Sequence, residues 1–126
     1  MNVLCIHGFS GSSNEHKAIR KALQKHNIHT FSFDYKEKFG TIQLEELAYR
    51  CNQAITEHNI DAIIGISQGG VIAAAAAELF DTRKRLNIIT ICAPWHGSKI
   101  AYLLPFVGVK ELRPNSRLLQ KIKNKV

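Results

Sequence analysis

The chain has 126 residues, of which 45% are apolar and 21% are charged, and 17 lysines and arginines against 10 acids give a formal charge of +7. This length fits a single domain, residues 1–126, and the balance of apolar and charged residues excludes a disordered chain. The basic excess would suit anionic membranes, nucleic acid or acidic ligands, but it carries no information about the fold.

Four short apolar or β-branched segments alternate with helical patterns along the chain. The predicted strands cover residues 2–7, 29–33, 61–66 and 86–92, and the predicted helices cover residues 14–25, 41–58 and 68–80. Thr41 is expected to cap the second of these helices. Strands that alternate with helices in this way are parallel, with helices on both faces of the sheet. The sequence therefore predicts an α/β fold of three αβα layers with about four strands.

The three cysteines indicate the compartment. Cys5, Cys51 and Cys92 lie inside apolar runs at irregular spacing, which matches neither a metal site nor a disulfide framework. We expect buried free thiols in the cytoplasm, and no metal or other cofactor. The apolar run at residues 3–6 predicts a strand rather than a signal peptide, and no apolar segment approaches the roughly 18 residues of a membrane span.

Ser67 lies between the third strand and the third helix, in the segment GISQG. A serine at so tight a turn is held in a strained conformation with its hydroxyl above the sheet, so Gly65 and Gly69 must be small. The following helix points its N-terminus, and the Gln68 N–H, at the same place. The pattern predicts a nucleophile elbow; the alternative is a glycine-rich turn with an incidental serine.

A second segment, VLCIHGFSGSS, places His7, Gly8 and Phe9 directly after the first strand. An oxyanion hole needs a second backbone N–H from the loop after the neighbouring strand, and Phe9 is in position to supply it. The alternative is a phosphate-binding glycine loop, but the segment has neither the P-loop lysine pattern nor GxGxxG.

With IHGFSGSS, IIGISQGG and ICAPWHGSKIA in this order, the chain resembles the α/β-hydrolase family, and within it the small bacterial lipases and esterases related to triacylglycerol lipase. Residues 112–122, LRPNSRLLQKI, are similar to a later stretch of those lipases. The resemblance implies the strand order second, first, third, fourth. It also implies site roles: Ser67 as nucleophile, Phe9 and Gln68 as oxyanion donors, and His7, Gly8, Gly65 and Gly69 as supports of the loop and elbow.

The sequence departs from the family where the proton relay belongs. The family places its acid and its histidine after two further strands, and this sequence stops before them, so we expect a truncated hydrolase core. Asp81 follows Ser67 by 14 residues, mostly helical, which at about 1.5 Å each puts it roughly 20 Å away. It cannot serve as the acid of a triad, and neither can Glu78.

Three histidines, at positions 7, 16 and 96, lie near the predicted site. His96 follows the fourth strand, and it either holds the loop PWHGS in place or serves Ser67 as an unconventional base. We expect His7 to orient the oxyanion loop, with Asp34 orienting His7 in turn. His16 opens the first helix and is expected to be solvated.

The C-terminal part combines apolar and basic residues. Residues 100–109, IAYLLPFVGV, either line an acyl pocket or pack on the sheet. Residues 112–122 place apolar and basic side chains on different helical faces, which predicts either an outer helix or a peripheral membrane contact. Nucleic-acid binding has only the net charge in its favour, so we expect no nucleic-acid partner.

The expected function is hydrolysis of a carboxylic ester or lipid by Ser67, with an incomplete or unconventional proton relay. The alternative is an inactive α/β-hydrolase remnant that binds lipid or protein. A shortened sheet leaves strand edges unpaired, which predicts a homo-oligomer formed through the fourth or second strand.

Overall fold

The computed structural model describes residues 1–36, 41–80, 85–103 and 107–123, and these residues form alternating strands and helices. Short 3-10 turns cover Ser13–His16 and Lys99–Leu103. The strands are β1 (Asn2–Ile6), β2 (His29–Phe33), β3 (Ala62–Ile66) and β4 (Asn87–Ile91), and the helices are α1 (Lys17–Gln24), α2 (Leu44–Glu57), α3 (Gln68–Leu79), α4 (Val107–Lys110) and α5 (Arg117–Lys123).

The four strands form one parallel sheet in the order β2-β1-β3-β4. Val3 of β1 lies opposite Thr30 of β2 on one side and Ala62 of β3 on the other. Parallel neighbours require crossover helices, and these cover both faces of the sheet. The predicted α/β class, parallel sheet and strand order are confirmed.

Alternate residues of each strand point to opposite layers of the protein. Leu4 and Ile63 belong to the larger apolar cluster, which they share with α2, α3 and α5. Val3 and Ile64 point the other way and pack against the partly buried Leu23 of α1. The core therefore lies mainly on the α2–α3 side of the sheet.

Two predicted helix starts differ from the structure. The first helical segment begins as a 3-10 turn, in which the Ser12 hydroxyl accepts from the Asn14 N–H, before α1 starts at Lys17. Thr41 does not cap α2, because the N-cap position falls at Gln43. The Leu44 N–H instead donates to the Glu111 carboxylate at 2.7 Å, a contact across 67 residues that local capping rules do not anticipate.

The C-terminal segment packs on the core, and β4 is left at an edge. The apolar side chains of residues 112–122 are buried: Leu112, Leu118, Leu119 and Ile122. Their burial supports the outer-helix alternative.

Cys92, which was expected to be buried, is exposed because β4 is the last strand of the sheet and its segment ends at the surface.

None of the helices in the described ranges combines the length and the apolar character that crossing a membrane requires.

Candidate active site

Ser67 occupies the turn between β3 and α3 in a conformation that serine rarely adopts. Its φ is 52° and its ψ is −119°, so the backbone lies outside the broad regions open to residues with a Cβ. The Ser67 N–H donates to the Ile91 carbonyl of β4 at 2.7 Å, and the Ser67 carbonyl accepts from the Gly70 N–H at 3.0 Å. These bonds hold Ser67 in a strained conformation, and the sequence pattern predicted that strain.

The glycines on either side of Ser67 are required by close backbone approaches. A Cβ on Gly65 would lie 2.5 Å from the Gly69 carbonyl oxygen. A Cβ on Gly69 would lie 2.5 Å and 2.6 Å from the carbonyl oxygens of Ile6 and His7. The first turn of α3 is therefore pressed against the end of β1, which brings Ser67 next to the loop that follows β1.

The loop after β1 is fixed by hydrogen bonds to the Gly8 carbonyl. His7 Nδ1 lies 2.9 Å from this oxygen and must carry a proton, since a carbonyl only accepts. The Tyr35 hydroxyl lies 2.9 Å from the same oxygen and 2.9 Å from the His7 carbonyl. In a trans peptide the N–H points opposite to the C=O, so these contacts turn the Phe9 N–H away from Tyr35.

Tyr35 is a site residue that the sequence analysis missed. It is 5% exposed, stacks on the His7 ring with centroids 4.0 Å apart, and receives the Gln68 side-chain amide at 3.4 Å. One hydroxyl thus joins the segment after β2, the loop after β1 and the first residue of α3. Its place directly after Asp34, at the carboxyl end of a parallel strand, is the signal that could have identified it.

A largely apolar pocket of about 250 Å³ opens beside Ser67. Two surface cavities are larger, at about 370 and 360 Å³, but neither includes Ser67 or the loop after β1. Residues 100–109 were expected either to line a pocket or to pack on the sheet, and residues 104–106 of this segment lie outside the described residues. Ala101 and Val109 line this pocket and also belong to the larger apolar cluster. The pocket is lined by Phe9, Ser67, Gln68, Pro94, Ser98, Ala101, Val109 and Leu112.

The described residues do not bring a histidine to this pocket. His96 is exposed on the loop after β4 and is not among the residues that line it. His7 is fully buried with its Nε2 3.3 Å from Asp34 Oδ1, which is the contact expected of that pair. His16, expected to be solvated, is instead fully buried, because Ser32 Oγ of the adjacent β2 meets its Nε2 at 3.3 Å.

Candidate acids and metal ligands are placed as follows. Glu78 lies in the last turn of α3, beside a surface cavity that it shares with Trp95, and Asp81 lies outside the described residues. Across the ranges that the structure describes, no three His, Cys, Asp or Glu side chains are grouped closely enough to hold a metal ion. Burial raises the pKa of Cys51 to about 12, so this thiol is a core residue without nucleophilic character.

No family model and no curated protein matches the chain. Solved structures do match. An extracellular α/β-hydrolase from a Paenibacillus species has a TM-score of 0.64 at 18% identity over 88% of this chain and 49% of its own. A monoacylglycerol lipase from Paleococcus ferrophilus has a TM-score of 0.68 at 18% identity over 81% and 44%. An α/β-hydrolase family protein from Desulfitobacterium hafniense has a TM-score of 0.62 at 20% identity over 78% and 42%.

These comparisons concern the fold. The chain spans less than half the length of each of the three proteins and superposes on their α/β-hydrolase cores. The resemblance that the sequence motifs indicated is therefore confirmed as an α/β-hydrolase fold.

Replacing Gly69 with alanine should destabilise the protein. The new methyl group would collide with the backbone carbonyls of Ile6 and His7 at the end of β1, and overpacking of this kind costs about 1–3 kcal/mol. Urea unfolding followed by circular dichroism measures the loss. Gly8→Ala is the matched control, because its nearest neighbour would be Ser67 Cβ at 3.3 Å. Equal losses for the two variants would contradict the close approach of α3 to β1.

His16 should make stability depend on pH. Burial, and then the nearby Arg20 charge, lowers the pKa of His16 below its ordinary value of 6.5. As the pH falls below 6.5, the unfolded chain binds a proton before the folded chain does, so the free energy of unfolding decreases, by at most about 1.4 kcal/mol per pH unit. Above that pH the contribution is constant.

Urea unfolding between pH 7.5 and about pH 5 tests this dependence in the wild type and in His16→Gln, whose amide does not titrate. The variant should show a shallower slope. His26→Gln, at an exposed position of the same region, is the control. A wild-type slope that His26→Gln reduces and His16→Gln leaves intact would contradict the assignment.

Proposed function

We propose that this chain is a serine hydrolase of carboxylic esters, of the lipase or esterase type, with Ser67 as its nucleophile. The observation that carries the proposal is the strained backbone of Ser67, with φ 52° and ψ −119°, at a strand-to-helix turn that opens on an apolar pocket. Strain of this kind costs about 1–3 kcal/mol and is concentrated at functional sites.

The proposed reaction is acyl transfer to water. Ser67 Oγ attacks the ester carbonyl carbon, and the carbonyl electron pair moves to the oxygen, which the N–H groups of Phe9 and Gln68 hold. The intermediate collapses, the alcohol leaves with a proton, and water then cleaves the acyl-serine. Within this chain His96 is our candidate for the proton carrier, since it follows the strand next to the elbow.

An ester with an apolar acyl group fits the pocket best. Apart from Ser67, Gln68 and Ser98, its lining side chains are apolar or aromatic. Tyr102 and Leu103 follow the pocket residue Ala101 and are 55% and 80% exposed. We propose that they contact aggregated lipid, which is the peripheral membrane contact of this chain. The three free cysteines suit a reducing compartment such as the cytoplasm.

Exposure to a fluorophosphonate probe should add one phosphonyl group to the chain, because Ser67 Oγ would displace fluoride at phosphorus. Intact mass spectrometry measures the adduct, and Ser67→Ala should lose it entirely. His96→Ala should slow labelling by about 10²–10⁴-fold if His96 carries the proton. Ser98→Ala, which removes another hydroxyl of the same pocket, is the control. A folded wild type without an adduct would contradict an activated Ser67.

The second candidate function is that of a non-catalytic binding module, favoured by the exposed edge of the sheet. In the described ranges no strand lies beyond β4, and Ile89 and Ile91 are 55% and 39% exposed. Sheet edges are usually protected by charges or proline, and Asn87–Ile91 contains neither. Antiparallel pairing with β4 of a second copy would oppose these uncharged residues without repulsion, so we propose a homodimer through this edge.

Sedimentation equilibrium over a wide concentration range should show a mass that rises from monomer towards dimer. Ile89→Lys should return the mass to that of the monomer, because two-fold pairing centred on Ile89 would set like charges opposite each other. Tyr49→Lys is the matched control, since Tyr49 on α2 is 51% exposed and lies away from the edge. A monomeric mass at the highest concentration would argue against the dimer.

A further inference from the structure

The loop between β1 and α1 contains a carboxylate that the mechanism above does not use. Glu15 belongs to the 3-10 turn Ser13–His16, and its Oε2 accepts the Gly8 N–H at 2.6 Å. A carboxylate acceptor makes this bond shorter and roughly twice as strong as a bond between neutral groups. The contact reaches back seven residues, from the end of the loop to its start.

Gly11 leaves the space that this carboxylate fills. A Cβ added to Gly11 would lie 2.6 Å from Glu15 Cδ, which is closer than real Cβ atoms approach a neighbour. The Gly11 N–H also donates to the Gly8 carbonyl at 3.1 Å and closes the turn above the carboxylate. A side chain at position 11 would therefore displace the Glu15 carboxylate, at little cost to the fold because that carboxylate ends a flexible side chain.

Gly8 is thus held on both sides. Glu15 fixes its N–H, while His7 Nδ1 and the Tyr35 hydroxyl fix its carbonyl. The conformation of Gly8 sets the direction of the next peptide N–H, that of Phe9. Glycine is the residue that would otherwise move most freely at this position, so the two anchors determine where the Phe9 N–H points.

We propose that Glu15 is a positioning residue, whose carboxylate holds the Gly8 N–H so that the Phe9 N–H faces the reacting carbonyl at Ser67. This role rests on the proposed ester hydrolysis. A methyl group placed on Gly8 would lie 3.3 Å from Ser67 Cβ and 3.6 Å from Glu15 Oε1, so the carboxylate and the serine border the same side of Gly8. Glu15 touches neither substrate nor reacting atoms in this scheme and acts through Gly8.

Two variants distinguish the hydrogen-bond acceptor of Glu15 from its negative charge. The charge of Glu15 strengthens the hydrogen bond to Gly8, but the same negative charge opposes a developing oxyanion nearby, so the two effects act against each other. Glu15→Gln keeps an acceptor oxygen without the charge, and its labelling should match or exceed that of the wild type. Glu15→Ala removes the acceptor and should lower the rate.

The test measures the second-order rate of fluorophosphonate labelling at Ser67 in the full chain. Glu15→Ala and Gly11→Ala should each reduce it by roughly 10–100-fold, which is less than the full loss of an oxyanion donor. Their double variant should be no slower than either single one, since both break the same contact. Glu57→Ala, an exposed acid at the end of α2, is the matched control and should label like the wild type.

A second readout does not depend on Ser67. In NMR spectra the Gly8 amide proton should move upfield and exchange faster in Glu15→Ala and Gly11→Ala than in Glu15→Gln. An unmoved Gly8 resonance, or unchanged labelling in Glu15→Ala, would overturn the positioning role. Absence of labelling in every variant, with the Gly8 shifts as expected, would overturn the proposed hydrolysis and with it this role, while the anchoring contact itself would stand.

Discussion

The close approach of α3 to the end of β1 is the constraint on which the rest of the site depends. Gly69 allows it, because its missing Cβ leaves room for the carbonyls of Ile6 and His7. At this approach the chain leaves β3 through a residue with positive φ, Ser67. The strain of about 1–3 kcal/mol at this turn is offset by the burial of α3, whose residues from Gln68 to Ala76 are all buried.

Tyr35 connects the loop after β1 to the segment that follows β2. Its hydroxyl meets two carbonyls of the loop after β1 and the side-chain amide of Gln68, and its ring stacks on His7. A buried hydroxyl that is hydrogen-bonded on several sides has few favourable arrangements, since moving it leaves unpaired groups in a medium of low dielectric constant. The direction of the Phe9 N–H is therefore set mainly by Tyr35 and His7, two buried residues that do not line the pocket.

The sequence was sufficient for the features that depend on neighbours in the chain. Strand alternation predicted the parallel sheet, and the small residues around Ser67 predicted its turn, because both follow from local sterics. Tyr35 and Glu111 were missed because their partners lie 27 and 67 residues away. Cys92 was misplaced for a related reason: an apolar run predicts a strand equally well at the centre and at the edge of a sheet.

The candidate site divides into two halves with different physical origins. In the proposed mechanism, the half that binds the carbonyl consists of backbone N–H groups and an apolar pocket, and the packing of β1, β3 and α3 builds it. The half that moves the proton requires side chains, and in the described residues the pocket holds none that titrates near neutrality. In serine hydrolases the first half alone retains about 10³–10⁴-fold acceleration over water when the triad is removed. Under the proposed hydrolysis, the share of the acceleration that this half supplies depends on how rigidly Gly8 and Ser67 are held.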